Sequence, residues 1–328
     1  MLRDILKGKD KGVNSAVSII AHVAPDILLL TGVDWDLSGA ALEALRTRLA
    51  DEGQVYPYQL ALKPNTGVDS GFDLDQNGAL GEARDAIGWG KFTGADGMAL
   101  LSKHPIGEPT DFTAFLWRDL PGAILPPDWY SDEVLDVLRL STTGHWDVPI
   151  FVGDNELRVL TYYAGPPVFD GPEDRNGRRT HDESMFWARY LEGEIGAAPK
   201  GPVVVMGDAN LDPSDGDGSG EAIQRLLSHP RLKDPLPRSE GAVEAATQGG
   251  ANATHRGDAS LDTVDWKDDG GPGNLRVDYV LPSKDLNIVR AGVFWPRSDD
   301  PLHRLLGRET QGSSRHRLVW VDVEFQGE

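Results

Sequence analysis

The stretch Pro202-Val-Val-Val-Met206, followed directly by Gly207-Asp208-Ala-Asn210, decides the fold. A short apolar run of this kind is typical of a strand that is buried on both faces. The glycine and the two Asx residues after it favour a tight turn. Because sheets present ligand-binding side chains at strand ends, this stretch predicts a core strand that leads into a polar site.

Strand-like and helix-like patterns alternate on both sides of this stretch. The predicted strands are 27–30, 97–102, 156–162, 276–281 and 317–322, and the predicted helices cover 13–24, 42–49 and 182–194. This alternation predicts an α/β protein. The Gly-, Asp- and Ser-rich segments at 211–220 and 267–274 are short enough to be surface loops, so we expect one domain over residues 1–328.

The composition limits the possible functions. The chain has 328 residues, no cysteine, and 52 acidic against 32 basic side chains, for a formal net charge of -20. This charge disfavours broad binding to duplex DNA, because it repels a polyanion unless the basic residues form one patch. Acidic chains still hydrolyse phosphate esters, since carboxylates hold the divalent cations that attract phosphate. No apolar run of about 18 residues and no export signal is present in the chain as given, so its location stays open.

Three polar clusters lie at the ends of predicted strands: Gly207-Asp208-Ala-Asn210, Arg276-Val-Asp278-Tyr279 and Ser313-Ser314-Arg315-His316-Arg317. Hydrolysis of a phosphate ester requires a base or orienting group for the attacking water, donors for the non-bridging oxygens, and a cation against the developing charge. The carboxylate, amide, guanidinium and imidazole groups of these clusters supply most of these functions. Taken singly, each cluster also fits an ordinary turn, ion pair or surface histidine.

An apolar strand into Gly-Asp-x-Asn, then Arg-x-Asp-Tyr, then a serine-rich turn with histidine resembles the endonuclease/exonuclease/phosphatase superfamily, also called DNase I-like. Two earlier stretches, 25–30 and 97–106, resemble core strands of the same family. The resemblance covers nearly the whole chain, and residues 166–179 resemble a bacterial branch of unassigned, often exported members. It implies a four-layer α/β sandwich, in which two packed mixed β-sheets are flanked by helices.

The resemblance implies a role for each matching residue. Asp208 and Asn210 would orient the nucleophile and hold a phosphate oxygen, and His316 would be the catalytic base or a phosphate ligand. Asp278 would fix the tautomer of His316 through a hydrogen bond. The other expected site residues are Tyr163 as a catalytic donor, Arg276, Arg315 and Arg178 as substrate contacts, and Asp34 with Asp208 as ligands of Mg2+ or Mn2+.

Four features depart from the family pattern. The family's first strand carries an asparagine near the metal, and the match places that strand upstream of the first residue given. Gly32 stands where the family has a metal-binding glutamate, so Asp34 or Asp36 would have to supply an oxygen. Tyr163 replaces a histidine and, with an ordinary pKa of about 10, can donate but not act as a base at neutral pH. Arg315 replaces an aspartate and offers a cation that suits a phosphate.

A second cation site is suggested by Asp73-Leu-Asp75-Gln-Asn77-Gly78, in which oxygen ligands at alternate positions precede a glycine. The start of a calcium loop has this pattern. Arg84, however, stands where such a loop has its bidentate glutamate. The stretch therefore fits either a Ca2+ site at Asp73, Asp75 and Asn77 or a solvated turn.

Two functions remain open from the sequence. One is a divalent-metal-dependent phosphoesterase that acts on a phosphodiester or phosphomonoester. The net charge favours a small ester over nucleic acid, unless a basic lip at Arg175, Arg178, Arg179 and Arg315 supports nuclease activity. The other is a family member without catalysis, which serves as a binding or scaffold protein after losing the asparagine strand and the glutamate. In both cases we expect a monomer without membrane contact.

Overall fold

The computed structural model describes residues 1–307 and 314–326. The α-helices in this part of the chain are α1 (Leu2–Lys7), α2 (Lys11–Val23), α3 (Ala40–Asp51), α4 (Asp132–Leu135), α5 (Arg175–Glu192), α6 (Glu221–Leu227) and α7 (Glu240–Ala246). The strands are β1 (Ile27–Val33), β2 (Tyr58–Leu60), β3 (Gly97–Ser102), β4 (Thr110–Asp111), β5 (His145–Val152), β6 (Asn155–Tyr163), β7 (Val203–Asp208), β8 (Val264–Asp265), β9 (Asn274–Leu275), β10 (Asp278–Pro282), β11 (Leu286–Val293) and β12 (Val319–Phe325). Short 3-10 helices cover Trp117–Asp119, Gly250–Thr254, Ala259–Leu261 and Pro301–Leu306.

Two sheets form the centre of the molecule. In the first sheet, ordered β1-β3-β2, the middle strand β3 is antiparallel to both neighbours. The second sheet has the order β10-β7-β6-β5-β4, and only β6 and β7 in it run parallel. Helix α5 connects β6 to β7, as the crossover between parallel strands requires. The pairs β11-β12 and β8-β9 are separate two-stranded ribbons.

The two sheets pack face to face, with a helical layer outside each. Met98 and Leu100 of β3 belong to the same buried cluster as Val148 of β5 and Val204 of β7. Helices α1 to α3 cover the outer face of the first sheet through a cluster that includes Leu49. Helices α5 and α6 cover the second sheet through side chains such as Phe186, Trp187 and Leu226. This layering confirms the expected four-layer α/β sandwich, although the first sheet is antiparallel rather than mixed among the residues described.

Helix α5 begins at Arg175, well before the predicted start at 182. Its first two turns carry polar residues, so they show no apolar periodicity. Thr180 lies inside the helix and donates its hydroxyl to the carbonyls of Gly165 and Asn176, both at 2.8 Å. The helix is therefore fixed by polar contacts with the loop after β6. Among the described helices, none combines the length and the apolar character needed to cross a lipid bilayer.

Candidate active site

Three polar side chains lie in one row at the end of the second sheet. The register pairs Asp208 of β7 with Tyr163 of β6 on one side and with Asp278, the first residue of β10, on the other. Neighbouring strands lie about 4.8 Å apart, so this pairing brings the three residues close together. Gly207 is required just before Asp208, because at its φ of 156° a Cβ atom would lie 2.0 Å from the carbonyl oxygen of Tyr162.

His316 reaches this row from the segment before β12. Its backbone forms an antiparallel bridge with Val264. Its Nδ1 atom lies 3.1 Å from Oδ1 and 3.0 Å from Oδ2 of Asp278, and 3.8 Å from Oδ2 of Asp208. These contacts all use Nδ1, so Nε2 is the nitrogen that can meet a substrate. The structure thus brings together two acids and an imidazole from distant parts of the sequence.

His316 offsets part of the negative charge of the two acids in this group. Burial raises the pKa of the Asp208 carboxyl, the His316 cation lowers it in part, and the Asp278 carboxylate raises it further. Burial alone lowers the pKa of His316, but the carboxylates of Asp278 and Asp208 outweigh burial, and the net shift is upward. The imidazole is therefore protonated at neutral pH and offsets two closely spaced acids.

Residues 263–266 hold both members of the Asp278 and His316 pair, and no sequence motif indicated this. The buried hydroxyl of Thr263 donates to Oδ2 of Asp278 at 2.8 Å and accepts the backbone N–H of Asp278 at 3.1 Å. The carbonyl of Thr263 accepts the N–H of Arg317 at 2.7 Å, next to His316. The ring of Trp266 meets the His316 ring edge to face, with centroids 5.6 Å apart. Only the folded chain shows these contacts, because Thr263 belongs to no recognisable pattern.

Asn210 lies in the turn after β7, where its φ of 49° is a left-handed conformation that asparagine tolerates. Its backbone N–H donates to Oδ1 of Asp208 at 2.8 Å. Its side-chain amide donates to the carbonyl of Ala164, also at 2.8 Å. These contacts orient Asp208 and leave the Asn210 side-chain oxygen as the atom that can accept a hydrogen bond from a ligand.

The expected ligand Asp34 lies apart from this group. Its Oδ2 atom is 3.3 Å from the amino group of Met1, and its Oδ1 atom accepts the backbone N–H of Asp96 at 3.4 Å. Asp36 accepts three backbone N–H groups at the start of α3, so it is a structural residue and not a ligand. Tyr163 remains in the row, where burial and the neighbouring carboxylates raise its pKa and keep it a hydrogen-bond donor.

The expected substrate contacts are only partly in place. Arg315 has an exposed side chain next to His316. The substrate-contact role predicted for Arg276 does not fit, because its buried guanidinium forms two hydrogen bonds with the Asp234 carboxylate at 2.9 and 2.7 Å. Arg178 donates to the carbonyl of Ile124, in another loop, at 3.2 Å. Ser313 lies outside the described residues.

The predicted basic lip does not form around residues 175–179. The guanidinium of Arg179 donates hydrogen bonds to four backbone carbonyls at 2.7 to 3.0 Å, those of Ile87, Arg139, Leu140 and Ser141. Arg175 donates to the carbonyl of Leu74 at 3.3 Å. These cations are therefore part of the scaffold, which removes the main argument from sequence for nucleic-acid binding.

Two groups of acidic residues have ligand atoms within 4.8 Å of one another, among the described residues. Asp208, Asp278 and His316 form the first, and the two carboxylates are its groups that suit a divalent cation such as Mg2+ or Mn2+, since the His316 imidazole carries a proton and contacts Asp278 through Nδ1. The second consists of Asp73, Asp75 and Asp85. The side-chain oxygen of Asn77, another predicted ligand, accepts the N–H of Ala79 at 2.7 Å.

Asp262, near Thr263, gives a stability prediction. Burial, followed by the charges of Asp212 and other nearby acids, raises the pKa of Asp262 from 3.8 to about 8. Between pH 3.8 and about 8, the Asp262 carboxyl is therefore protonated in the folded state but ionised in the unfolded state. The stability of the fold consequently falls as the pH rises through this window. We expect Asp262→Asn to raise the free energy of unfolding by about 2 kcal/mol or more at pH 8 and by far less at pH 4.

Urea unfolding at both pH values measures this difference. Asp217→Asn is the matched control, because it removes the same charge from an exposed loop. An equal effect of Asp262→Asn at pH 4 and pH 8 would contradict the assignment of the proton to this carboxyl.

The comparisons with known proteins agree with this architecture. The family model described as Endonuclease/Exonuclease/phosphatase family matches residues 7–316. An endonuclease/exonuclease/phosphatase structure from Beutenbergia cavernae is 16% identical, with a TM-score of 0.55, and the match covers 95% of this chain and 66% of that one. A family protein from Leptotrichia buccalis is 15% identical, with a TM-score of 0.55 and coverage of 97% and 95%.

At these identities the two structures show the fold alone. No curated protein matches the sequence. The family model, however, spans nearly the whole chain. The chain therefore belongs to the endonuclease/exonuclease/phosphatase family.

Proposed function

We propose that this chain is a divalent-metal-dependent phosphoesterase with Asp208, Asp278 and His316 at its centre. The observation that carries the proposal is the contact of His316 Nδ1 with Asp278 at 3.0 Å and its approach to Asp208 at 3.8 Å. A carboxylate that holds an imidazole through Nδ1 leaves Nε2 free to exchange a proton with a substrate, as in other acid–base pairs. This arrangement serves proton transfer to or from a phosphate ester.

Each residue has a defined part in this chemistry. His316, protonated in the free site, would donate a hydrogen bond or a proton to a phosphoryl oxygen through Nε2. Asp278 would hold the ring and stabilise its cationic form. Asp208, oriented by Asn210, would position the attacking water, and Tyr163 would donate to a phosphate oxygen. A divalent cation held by Asp208 and its neighbours would supply positive charge against the phosphoryl group.

The substrate proposed is a small phosphate ester. The net charge of -20 and the absence of a basic lip at Arg175 and Arg179 oppose a long polyanion. Arg315, exposed beside His316, is the remaining cation that we assign to the substrate phosphate.

A non-catalytic binding protein is the second candidate, favoured by one observation. Asp34, the acid nearest the position of the family's glutamate, is paired with the Met1 amino group instead of joining the catalytic group. Gly32 offers no side chain at that end of β1. On this reading the site binds a phosphate ester but has too few ligands to hold the cation.

Hydrolysis of bis(p-nitrophenyl) phosphate and p-nitrophenyl phosphate distinguishes the two candidates. Assays contain Mg2+, Mn2+ or Ca2+, each with and without EDTA. The phosphoesterase proposal expects turnover of at least one substrate that EDTA abolishes and added cation restores. No turnover with any cation, from a chain whose circular dichroism shows an intact fold, would support the binding protein.

Thr263→Val is expected to lower kcat about tenfold while leaving KM nearly unchanged. Valine keeps the shape of threonine but removes the hydroxyl that donates to Asp278, so the Asp278 and His316 pair loses its alignment. Thr263→Ser, which keeps the hydroxyl, is the matched control and should retain most of the activity. Equal loss in both variants would indicate that packing, not the hydrogen bond, is what matters.

The acidic group at Asp73, Asp75 and Asp85 is proposed as a Ca2+ site. Trp129 donates its indole N–H to the carbonyl of Leu74 in this loop at 3.2 Å, so its fluorescence can report cation binding. We expect millimolar or tighter Ca2+ to change the fluorescence of the native chain and not that of Asp73→Asn. A solvated turn would give no calcium response in either chain.

A further inference from the structure

The loop at 164–174, which connects β6 to α5, contains an aromatic residue that is both strained and exposed. Phe169 has a φ of 75°, in the left-handed region, and its side chain is 78% exposed. A bulky residue in this region is a rare backbone conformation that costs free energy. Burial does not offset this cost, because most of the ring remains in water. Outliers of this kind cluster at binding and catalytic sites.

The loop begins beside the candidate active site and follows its edge. The backbone N–H of Ala164 donates to the carbonyl of Asp208 at 2.9 Å, and the carbonyl of Ala164 accepts the side-chain amide of Asn210 at 2.8 Å. A Cβ atom on Gly218 would lie 3.0 Å from the ring of Pro167, so this proline packs on the segment that follows Asn210. The loop therefore borders the site up to two residues before the exposed phenylalanine.

Hydrogen bonds fix the backbone on both sides of Phe169. The side-chain amide of Asn176, in the first turn of α5, donates to the carbonyl of Val168 at 2.7 Å. The backbone N–H of Asn176 donates to the carboxylate of Asp170 at 2.6 Å. The loop thus holds the exposed ring in place in the free protein. A ring that is already held loses little conformational entropy when a ligand contacts it, so more of the contact energy contributes to binding.

The site lacks an assigned group that selects the organic part of an ester. The residues assigned to it so far are all polar, namely Tyr163, Asp208, Asp278, Arg315 and His316. Such groups recognise the phosphoryl group, which all phosphate esters share. Discrimination between esters requires a contact with the alcohol, and apolar side chains usually supply most of the surface for such contacts. Phe169 offers an apolar surface of this kind at the border of the site.

We propose that Phe169 binds the organic group of the phosphate ester, and that this group carries an aromatic ring or a similar apolar surface. The inference rests on the proposed function in one respect, that the phosphoryl group is bound at Asp208, Asp278 and His316. Phe169 then determines specificity and takes no part in proton transfer. The free energy lost to its strained, solvated conformation is offset when the ring is covered by substrate.

Equilibrium binding of phosphonates tests the proposal, because their carbon–phosphorus bond is not a phosphate ester bond. Calorimetry in Mg2+ compares phenylphosphonate with methylphosphonate and 4-phenylbutylphosphonate with butylphosphonate. The native chain should bind at least one aryl compound about tenfold more tightly than its alkyl partner, as an aromatic contact of ordinary strength implies. Phe169→Ala should reduce this preference to less than about twofold, and Phe169→Trp should keep it.

Phe151→Ala is the matched control, because Phe151 is also exposed but pairs with Glu156 at the opposite end of β6 from Tyr163. This variant should keep the preference of the native chain.

The melting temperature of Phe169→Asn gives a second readout. Asparagine tolerates a positive φ, so this variant should melt at or above the temperature of the native chain while losing the aryl preference. A phenylalanine that served the fold would instead give a lower melting temperature, and that result would overturn the proposal.

Three binding results would also overturn it. These are equal binding of aryl and alkyl phosphonates by the native chain, an aryl preference that survives Phe169→Ala, and no binding of any of the four compounds. A preference that depends on Phe169 supports the proposal even if the chain hydrolyses no ester, so a failure of the catalytic proposal is distinguished from a failure of this one.

Discussion

Replacing His316 with alanine is expected to lower the rate of metal-dependent phosphodiester hydrolysis about a thousandfold at pH 7. The imidazole is the group whose Nε2 can reach a phosphoryl oxygen while its Nδ1 is held by Asp278 at 3.0 Å. Removing a positioned proton donor of this kind usually costs about 10²- to 10⁴-fold. The loss should appear in kcat, because the ring contributes more to the transition state than to substrate binding.

His255→Ala is the control for this measurement, since His255 lies in the loop after the 3-10 helix Gly250–Thr254 and its removal tests the general effect of losing a histidine. Melting temperatures of both variants establish that the fold is kept. Hydrolysis that survives His316→Ala within about tenfold would refute the catalytic assignment, and the measured turnover would have to come from another group.

Replacing Arg179 with methionine is expected to lower the free energy of unfolding by about 3 kcal/mol or more. The guanidinium satisfies the carbonyls of Ile87, Arg139, Leu140 and Ser141 at once. Methionine has a similar length but donates nothing, so these carbonyls lose a charged donor, and each such loss costs about 1 to 3 kcal/mol when no water replaces it. Two separate segments, at residue 87 and at 139–141, would then lose their common attachment to α5.

Urea unfolding measures this loss, with Arg178→Met as the matched control on the next position of the same helix. Arg178 makes one carbonyl contact at 3.2 Å, so its replacement should change stability by less than about 1 kcal/mol. Similar effects at the two positions would show that the carbonyl contacts of Arg179 are weak in solution.

The strongest elements of the fold were visible in the sequence because their patterns are purely apolar. The strand at 202–206 and the strand at 97–102 lie in the structure close to where they were predicted. The two-residue strands β4, β8 and β9 were not predicted, since two residues show no periodicity. Helix α5 was predicted too short because its first turns are held by polar contacts such as those of Thr180.

The site was predictable in its residue types but not in its partners. Asp208, Asn210 and Asp278 lie at or next to strand ends, and their positions together with the family motifs marked them as candidates. Their grouping depends on register, which pairs Asp208 with Asp278 directly, and a shift of one residue would separate them. The ion pair between Arg276 and Asp234 and the hydrogen bond from Thr263 to Asp278 join segments that are far apart in the sequence. No local sequence pattern predicts such contacts.

The order of strands in the second sheet has a consequence for synthesis on the ribosome. β4, β5, β6, β7 and β10 occupy neighbouring places in the order in which they are translated. Each emerging strand can therefore add to the edge left by its predecessor, and growth proceeds in one direction. The strand bearing Asp278 is the last to be added and the turn bearing His316 follows it. A nascent chain can thus build most of this sheet before the residues of the proposed site are brought together.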